Sequence, residues 1–475
     1  LATTQLVDYT SFFLAYNNTG QYISIYNRDG ISSMTDRFIS YFANAAYTFK
    51  NRYTLSASAR KDQSNLFGVK ANQRGVPLWS TGLAWTISDE PFYKWSWMPY
   101  LKARTTFGHN GNIDKSVTAY TTAVSLGYNA LTGLPYSTII NPPNPELQWE
   151  RVKIWNAGVD FETKDRILSG SIEYYTKWGV DLIGSSPYPP STGVTVFRGN
   201  NADTRGHGVD VVLNTTNVNR AFKWQTTFLF SHLNEKVTSY KIEAATVNYV
   251  YSGSGSSLIA YPLEGKPLYA IYSFDWAGLD PETGDPQGYL EGAVSTNYAS
   301  IISKATTKSI VYHGSARPTS FGSIRNTFSW KNISLSVNVS YRLGYYVKRS
   351  SVRYSNILNG RVDHSDYASR WQNPGDENST EVPSMPEFTD QNRDNFYLNS
   401  SALVERGDHI RLQDVNVNYT LDRNLMTRLP VNKVHLYAYV NNLGIIWKAT
   451  DATIDPDYPT MKPVTTWAAG IKIEF

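Results

Sequence analysis

Period two dominates this chain. In the segment 38–50, FISYFANAAYTFK, one parity reads Ile39, Tyr41, Ala43, Ala45, Tyr47 and Phe49, while the other carries Ser40, Asn44, Thr48 and Lys50. Side chains that alternate in this way belong to a strand with one apolar face. After a tight connection at Asn51-Arg52, Tyr53, Leu55, Ala57 and Ala59 alternate with Thr54, Ser56, Ser58 and Arg60. That predicts an antiparallel return, a hairpin. The same pattern predicts strands at 78–88, 100–108, 152–162, 167–180, 205–214, 222–233, 320–331, 334–346, 405–420, 433–442 and 465–475, thirteen in all.

The spaces between these strands alternate too. Short connections fall at 51–52, 89–99, 163–166, 215–221, 332–333 and 421–432, and long ones at 61–77, 109–151, 181–204, 234–319, 347–404 and 443–464. A soluble sandwich has no reason to put every long loop at one end, whereas an outer-membrane barrel pairs short periplasmic turns with long extracellular loops. The expected fold is therefore all-β, a transmembrane antiparallel β-barrel integral to a bacterial outer membrane. Bacterial single-chain barrels have an even strand number, so a count of thirteen from Phe38 implies at least one strand upstream. Residues 1–37 alternate poorly; they are expected to hold barrel strands near Thr10–Tyr16 and Gln21–Asn27, or a loop. The chain reads as an arc of a larger barrel, 38–475, with its major outer loops at 109–151, 234–319 and 347–404.

A lipid-facing parity excludes charge, because Arg or Lys at the bilayer midplane costs roughly 2–4 kcal/mol. Lys102, Arg104, Glu173, Lys177, Arg325 and Arg342 are therefore expected to face the lumen. Asn326 breaks the rule by sharing parity with Ile324, Phe328 and Trp330: it sits above the hydrocarbon or the register slips there. Trp79, Trp85, Trp155, Trp178, Trp224, Trp330 and Trp467 fall near strand ends on the apolar parity, as interfacial girdles require. The last strand, TTWAAGIKIEF, stops on Phe475, an ending similar to the signature that barrel assembly reads, although Ile473 stands where an aromatic is more usual.

Composition removes other classes. Aromatics make up 14% of the 475 residues and charged residues only 18%, which disfavours disorder. The longest apolar runs, such as Phe12–Tyr16, are five residues, so no transmembrane helix is expected. Net charge is only +4 with basic residues scattered, so no nucleic-acid partner is expected. Cysteine is absent, excluding disulfides and thiolate chemistry.

Catalysis finds little support, since seven His without ligand spacing and no G-x-S-x-G elbow leave no nucleophile constellation. No cofactor and no enzyme activity are expected. Asp280, Glu282, Asp285 and Glu291 form a weak calcium-loop candidate, but Gly284 falls one place early and a plain surface turn is favoured. A surface turn is likewise favoured for Asp451, Asp455 and Asp457. In the long loops Tyr249, Tyr251, Tyr261, Tyr269, Tyr272 and Trp276 could contact substrate or a partner, or equally pack against one another.

From Phe38 onward the sequence resembles the C-terminal barrel portion of the SusC/RagA family of TonB-dependent transporters of Bacteroidetes. The blocks that carry the resemblance are ARKDQSNLFG at 59–68, VPLWSTGLAWTISDEPFY at 76–93, YLKARTTFGHNGN at 100–112, NPELQWE at 144–150 and GSIEYYTKWGVDLI at 170–183. ARPTSFGSIRNTFSWKNISLSVNVSYRLG at 316–344 and ERGDHIRLQDVNVNYTL at 405–421 follow in the family's order. Gln63 and Ala202 depart from it at positions where Gly is usual. The resemblance implies a barrel of about 22 strands around a plug, with plug and TonB box preceding this chain. It also implies import of oligosaccharide or oligopeptide with a SusD-like surface lipoprotein and energy from the TonB complex. A porin, a siderophore or vitamin receptor, and a soluble β-rich adhesin are the alternatives.

Overall fold

A computed structural model describes residues 14–16, 22–24, 35, 37–64, 75–112, 114, 117–129, 131–187, 189, 191, 193–194, 196–241, 245–252, 261–422, 432–458 and 462–474. Its main element is one thirteen-stranded antiparallel sheet whose spatial order follows chain order without a crossover. The strands are β1 (Phe38–Phe49), β2 (Tyr53–Ser64), β3 (Gly75–Thr86), β4 (Tyr100–Asn112), β5 (Glu150–Glu162), β6 (Leu168–Pro187) and β7 (Val196–Asn219). They continue as β8 (Phe222–Tyr240), β9 (Ser320–Trp330), β10 (Ile333–Leu343), β11 (His409–Asp422), β12 (Lys433–Lys448) and β13 (Thr466–Glu474). Leu14–Tyr16 and Tyr22–Ser24 pair with each other in a separate two-stranded sheet. Phe475 lies outside the described residues.

The thirteen strands are those the alternation predicts, but several run further than expected. β6 and β7 extend to Pro187 and back from Val196, so the connection expected at 181–204 shrinks to 188–195. The cause is physical: beyond the hydrocarbon both faces of a strand meet polar surroundings, so the pairing persists while the alternation lapses. The expected 405–420 strand is in fact two pieces. Val404–Arg406 pairs with Tyr346–Lys348, and the barrel strand begins at His409.

The apolar parity is the exposed one. Tyr47 and Ile471 are each 67% exposed and Ile172 49%, the inverse of a sandwich core. Asn326 shows no register slip; its Oδ1 accepts from Trp224 Nε1 (2.9 Å) and Thr226 Oγ1 (2.7 Å), which satisfies the amide oxygen on the apolar face near the short-turn rim.

Buried apolar clusters lie chiefly in the long loops. Tyr249, Tyr272, Phe274, Tyr298 and Ile301 of the 241–319 connection form one cluster with Phe396 of the 344–408 connection. Val352, Tyr354, Val382, Tyr397 and Leu403 form a second, and Trp276 packs against both. Asp390 caps the helix Gln391–Leu398 by accepting from the backbone of Asn392 and Arg393, and that helix carries Phe396 and Tyr397 inward.

Candidate functional site: the polar face and its outer mouth

Register brings charged residues from distant segments together on the sheet's polar face. Arg104, Gly158 and Glu173 stand opposite one another on β4, β5 and β6. Arg104 Nε donates to Asp160 at 3.1 Å and its Nη2 to Glu173, which also accepts from Asn156 at 3.0 Å. Lys102 faces Asp160 across the β4–β5 pair. Lys177 sits 4.6 Å over the Tyr175 ring. On β9, Arg325 donates to Asp414 at 3.2 Å, and Asn338 donates to the same carboxylate at 2.9 Å.

The densest network lies near the outer end of β10 and β11. Arg342 donates to Asp457 at 2.6 Å, His409 Nε2 lies 3.2 Å from the same carboxylate, and Arg411 donates to Asp455 at 2.6 Å. Gly344, at φ 76°, turns the chain so that Tyr345 points back to His409 Nδ1 at 3.2 Å. Burial opposes the charge on Asp457, but His409 and Arg342 outweigh it and hold the carboxyl below its ordinary range. Thus Asp455, which is buried, and Asp457, which is partly buried, are partners of arginines and not the plain surface turn read from sequence. Beside them lies a cavity of about 830 Å³ whose wall includes Arg349, His364, Glu405, Arg411, Lys448 and Asp455. A wall of interleaved donors and acceptors suits hydroxyl or peptide groups better than an apolar ligand.

The carboxylates of the 280–291 loop do not converge. Asp280 accepts from the backbone of Glu282 and Thr283, Asp285 pairs with Arg393 at 2.9 Å, and Glu291 pairs with Lys304 at 2.9 Å. No group of three metal-ligating side chains occurs among the described residues. Among the loop aromatics, Tyr249 and Tyr272 are buried, while Tyr251, Tyr261 and Trp276 pack partly buried against the loop core. Tyr269 is exposed, with the Arg317 guanidinium 3.5 Å from its ring centroid.

Sequence reasoning missed Asp160, Asn156, Asp414, His409 and Arg411 as partners. Their polar parity was visible, but parity does not give cross-strand register, and on β11 a β-bulge between Leu412 and Asp414 also shifts the phase that relates Arg411 to Asp414.

With this geometry in place, comparison with known proteins identifies the sheet. The family model described as TonB dependent receptor-like, beta-barrel matches residues 2–443. The chain belongs to that family. A TonB-dependent receptor of Formosa agariphila is 24% identical over 91% of this chain and 44% of its own length. The TonB-dependent receptor SusC of Bacteroides thetaiotaomicron is 24% identical over 69% of this chain and 36% of its own. The RagAB peptide transporter superposes with a TM-score of 0.72 at 20% identity, covering 93% of this chain and 47% of that one. The chain thus spans about half the length of the curated relatives it matches. It is an outer-membrane β-barrel of the TonB-dependent receptor family, similar to SusC in sequence and to RagAB in fold, and no described helix is long and apolar enough to cross a membrane.

Proposed function

We propose that the chain forms the barrel wall of an active importer of oligosaccharides or oligopeptides, with the polar face lining the lumen and Lys102, Arg104, Glu173, Lys177, Arg325 and Arg342 turned into it. The observation that carries this reading is the ladder of paired charges on that face, leading outward to the cavity beside Arg411 and Asp455. Paired charges keep a wetted passage without a large field of one sign. The two long loops, fused through Phe396 and Trp276, offer a surface for a SusD-like lipoprotein. Energy would come through TonB, and no catalytic step is required of the chain. RagAB is described as a peptide transporter; for this chain that remains one of two substrate classes.

The test is purification of the protein with whatever surface lipoprotein accompanies it, followed by mass spectrometry of the retained ligand. Retained oligosaccharide or peptide, together with loss of growth on that nutrient when the gene is deleted, is the expected result. Passive uptake that persists without TonB would return the reading to a porin. Within the complex, Tyr269→Ala is expected to weaken ligand or partner binding while leaving the barrel's heat-modifiable gel migration intact.

A further inference from the structure

The opposite rim, where the short connections gather, carries chemistry that import does not use. Each of its five fully described turns holds a basic residue, among them Lys50, Lys94, Lys164, Arg166, Arg220 and Lys331. Arg166 is paired with Glu162 at 3.2 Å, and the other five have no ion pair among the described residues. The rim's buried acid, Glu90, is enclosed by Tyr53 Oη, Trp85 Nε1 and Arg52. Asp89 and Asp165 offset only part of the remaining positive charge.

Backbone conformation makes the choice of these residues informative. Lys50, Arg166 and Lys331 lie at φ 51°, 54° and 51°. Gly and Asn adopt that left-handed region at little cost, whereas long side chains do not. Turn geometry alone would therefore select against Lys and Arg at all three places. Their position relative to the apolar band suggests what retains them. Lys50 Nζ is 5.2 Å from the Phe49 ring centroid and Lys331 Nζ is 5.0 Å from that of Trp330, and both rings are about half exposed on the apolar face. Phe92, Trp95 and Trp97, in the turn that carries Lys94, are exposed as well. Aromatic rings of this kind sit at headgroup level, so the ammonium groups are held at the depth of lipid phosphates.

We propose that this rim binds anionic phospholipid of the periplasmic leaflet, its phosphates seated on the basic turns and its acyl chains against the girdle rings. The occupant follows from two features: the charge is complementary to phosphate, and the basic turns are continuous with the lipid-facing band. Attraction of this type contributes on the order of 1 kcal/mol per basic residue near an anionic surface, equivalent to about a fivefold change per charge removed.

The experiment compares the purified protein with the K50N/R166N/K331N variant, each in nanodiscs of phosphatidylcholine doped with phosphatidylglycerol, by native mass spectrometry of co-retained lipid. Asn suits the left-handed turns, so the variant is expected to fold, which its heat-modifiable migration reports. The wild type should enrich phosphatidylglycerol over phosphatidylcholine, and the variant should lose most of that enrichment. Equal retention of the two lipids by the wild type, or enrichment that survives in a folded variant, overturns the proposal. Added inorganic phosphate should leave the lipid in place; its release by phosphate would make this a free-anion site instead.

Discussion

Arg104 and Glu173 are ion-paired across a whole strand, because the residue between them, Gly158, has no side chain. A Cβ at position 158 would lie 3.2 Å from Arg104 Cζ and 3.1 Å from Glu173 Cγ. The three strands β4, β5 and β6 are thus clamped by a contact that a Cβ at position 158 would crowd, forcing both side chains to give by a few tenths of an ångström. Gly158→Val is expected to push the two groups apart and to break the pair without touching either partner. In a double-mutant cycle, Arg104→Ala and Glu173→Ala should couple by about 1–2 kcal/mol in the wild-type background and by near zero in Gly158→Val. Equal coupling in both backgrounds would show that the glycine is incidental.

Arg411 and Asp455 are 4% and 3% exposed at the side chain and lie 2.6 Å apart. Removing one partner strands the other's charge, whereas an apolar replacement of both does not. Arg411→Ala should therefore destabilise the 449–465 connection by about 3–5 kcal/mol, and Arg411→Met with Asp455→Leu by much less. Limited proteolysis in that connection measures the difference. If the single and double variants are cut at the same rate, the pair does not hold the loop.

What the sequence made legible follows from where two solvents meet the strand. Between lipid and lumen, Tyr47, Ile172 and Ile471 had to alternate with polar neighbours, so period two marked their strands and faces. Above the membrane, from Asp181 to Pro187 and from Val196 to Thr204, neither face meets lipid, and the ladder continued without a signal. Arg342 could be placed on the polar face by parity, but its partner Asp457 lies 115 positions away, and spacing carries no register. The loop aromatics were ambiguous for a different reason. Tyr249 in a core and Tyr269 in solvent are the same residue type, and only packing separates them.

One buried base, Lys348, and one half-buried base, His313, make the outer loops sensitive to pH. Burial lowers Lys348 from its ordinary 10.5 to about 7, where its Nζ donates to Val250 O across the two long loops. Burial, then Lys348, lowers His313 from 6.5 to about 4. In both cases the unfolded chain binds the proton more readily, so loop stability rises with pH between the folded and unfolded values. The loops should therefore tighten as pH rises from about 7 towards 10 through Lys348, and loosen as it falls from about 6.5 towards 4 through His313. Hydrogen exchange over 261–319, corrected for intrinsic rate, should show both trends; Lys348→Met should abolish the alkaline one and His313→Gln the acid one.

The loops also stand or fall together through one ring. Phe396 is fully buried, stacked 5.8 Å from Phe274, 6.3 Å from Trp276 and 5.6 Å from Tyr298, so a residue of the 344–408 connection completes the core of 241–319. Gly288 allows this approach, since a Cβ there would meet the Phe396 ring at 2.5 Å. Phe396→Ala removes the shared ring and leaves a cavity, a loss of about 3–5 kcal/mol. The sheet makes no use of that cluster, so barrel migration on a denaturing gel should be unchanged while both connections become accessible to protease at once. If the loops present a joint surface to a lipoprotein, the same variant should lose that partner altogether on purification, where Tyr269→Ala only weakens its binding. Independent cleavage, with only 344–408 exposed, would mean that the two loops are separate modules and that the docking surface must be sought on one of them.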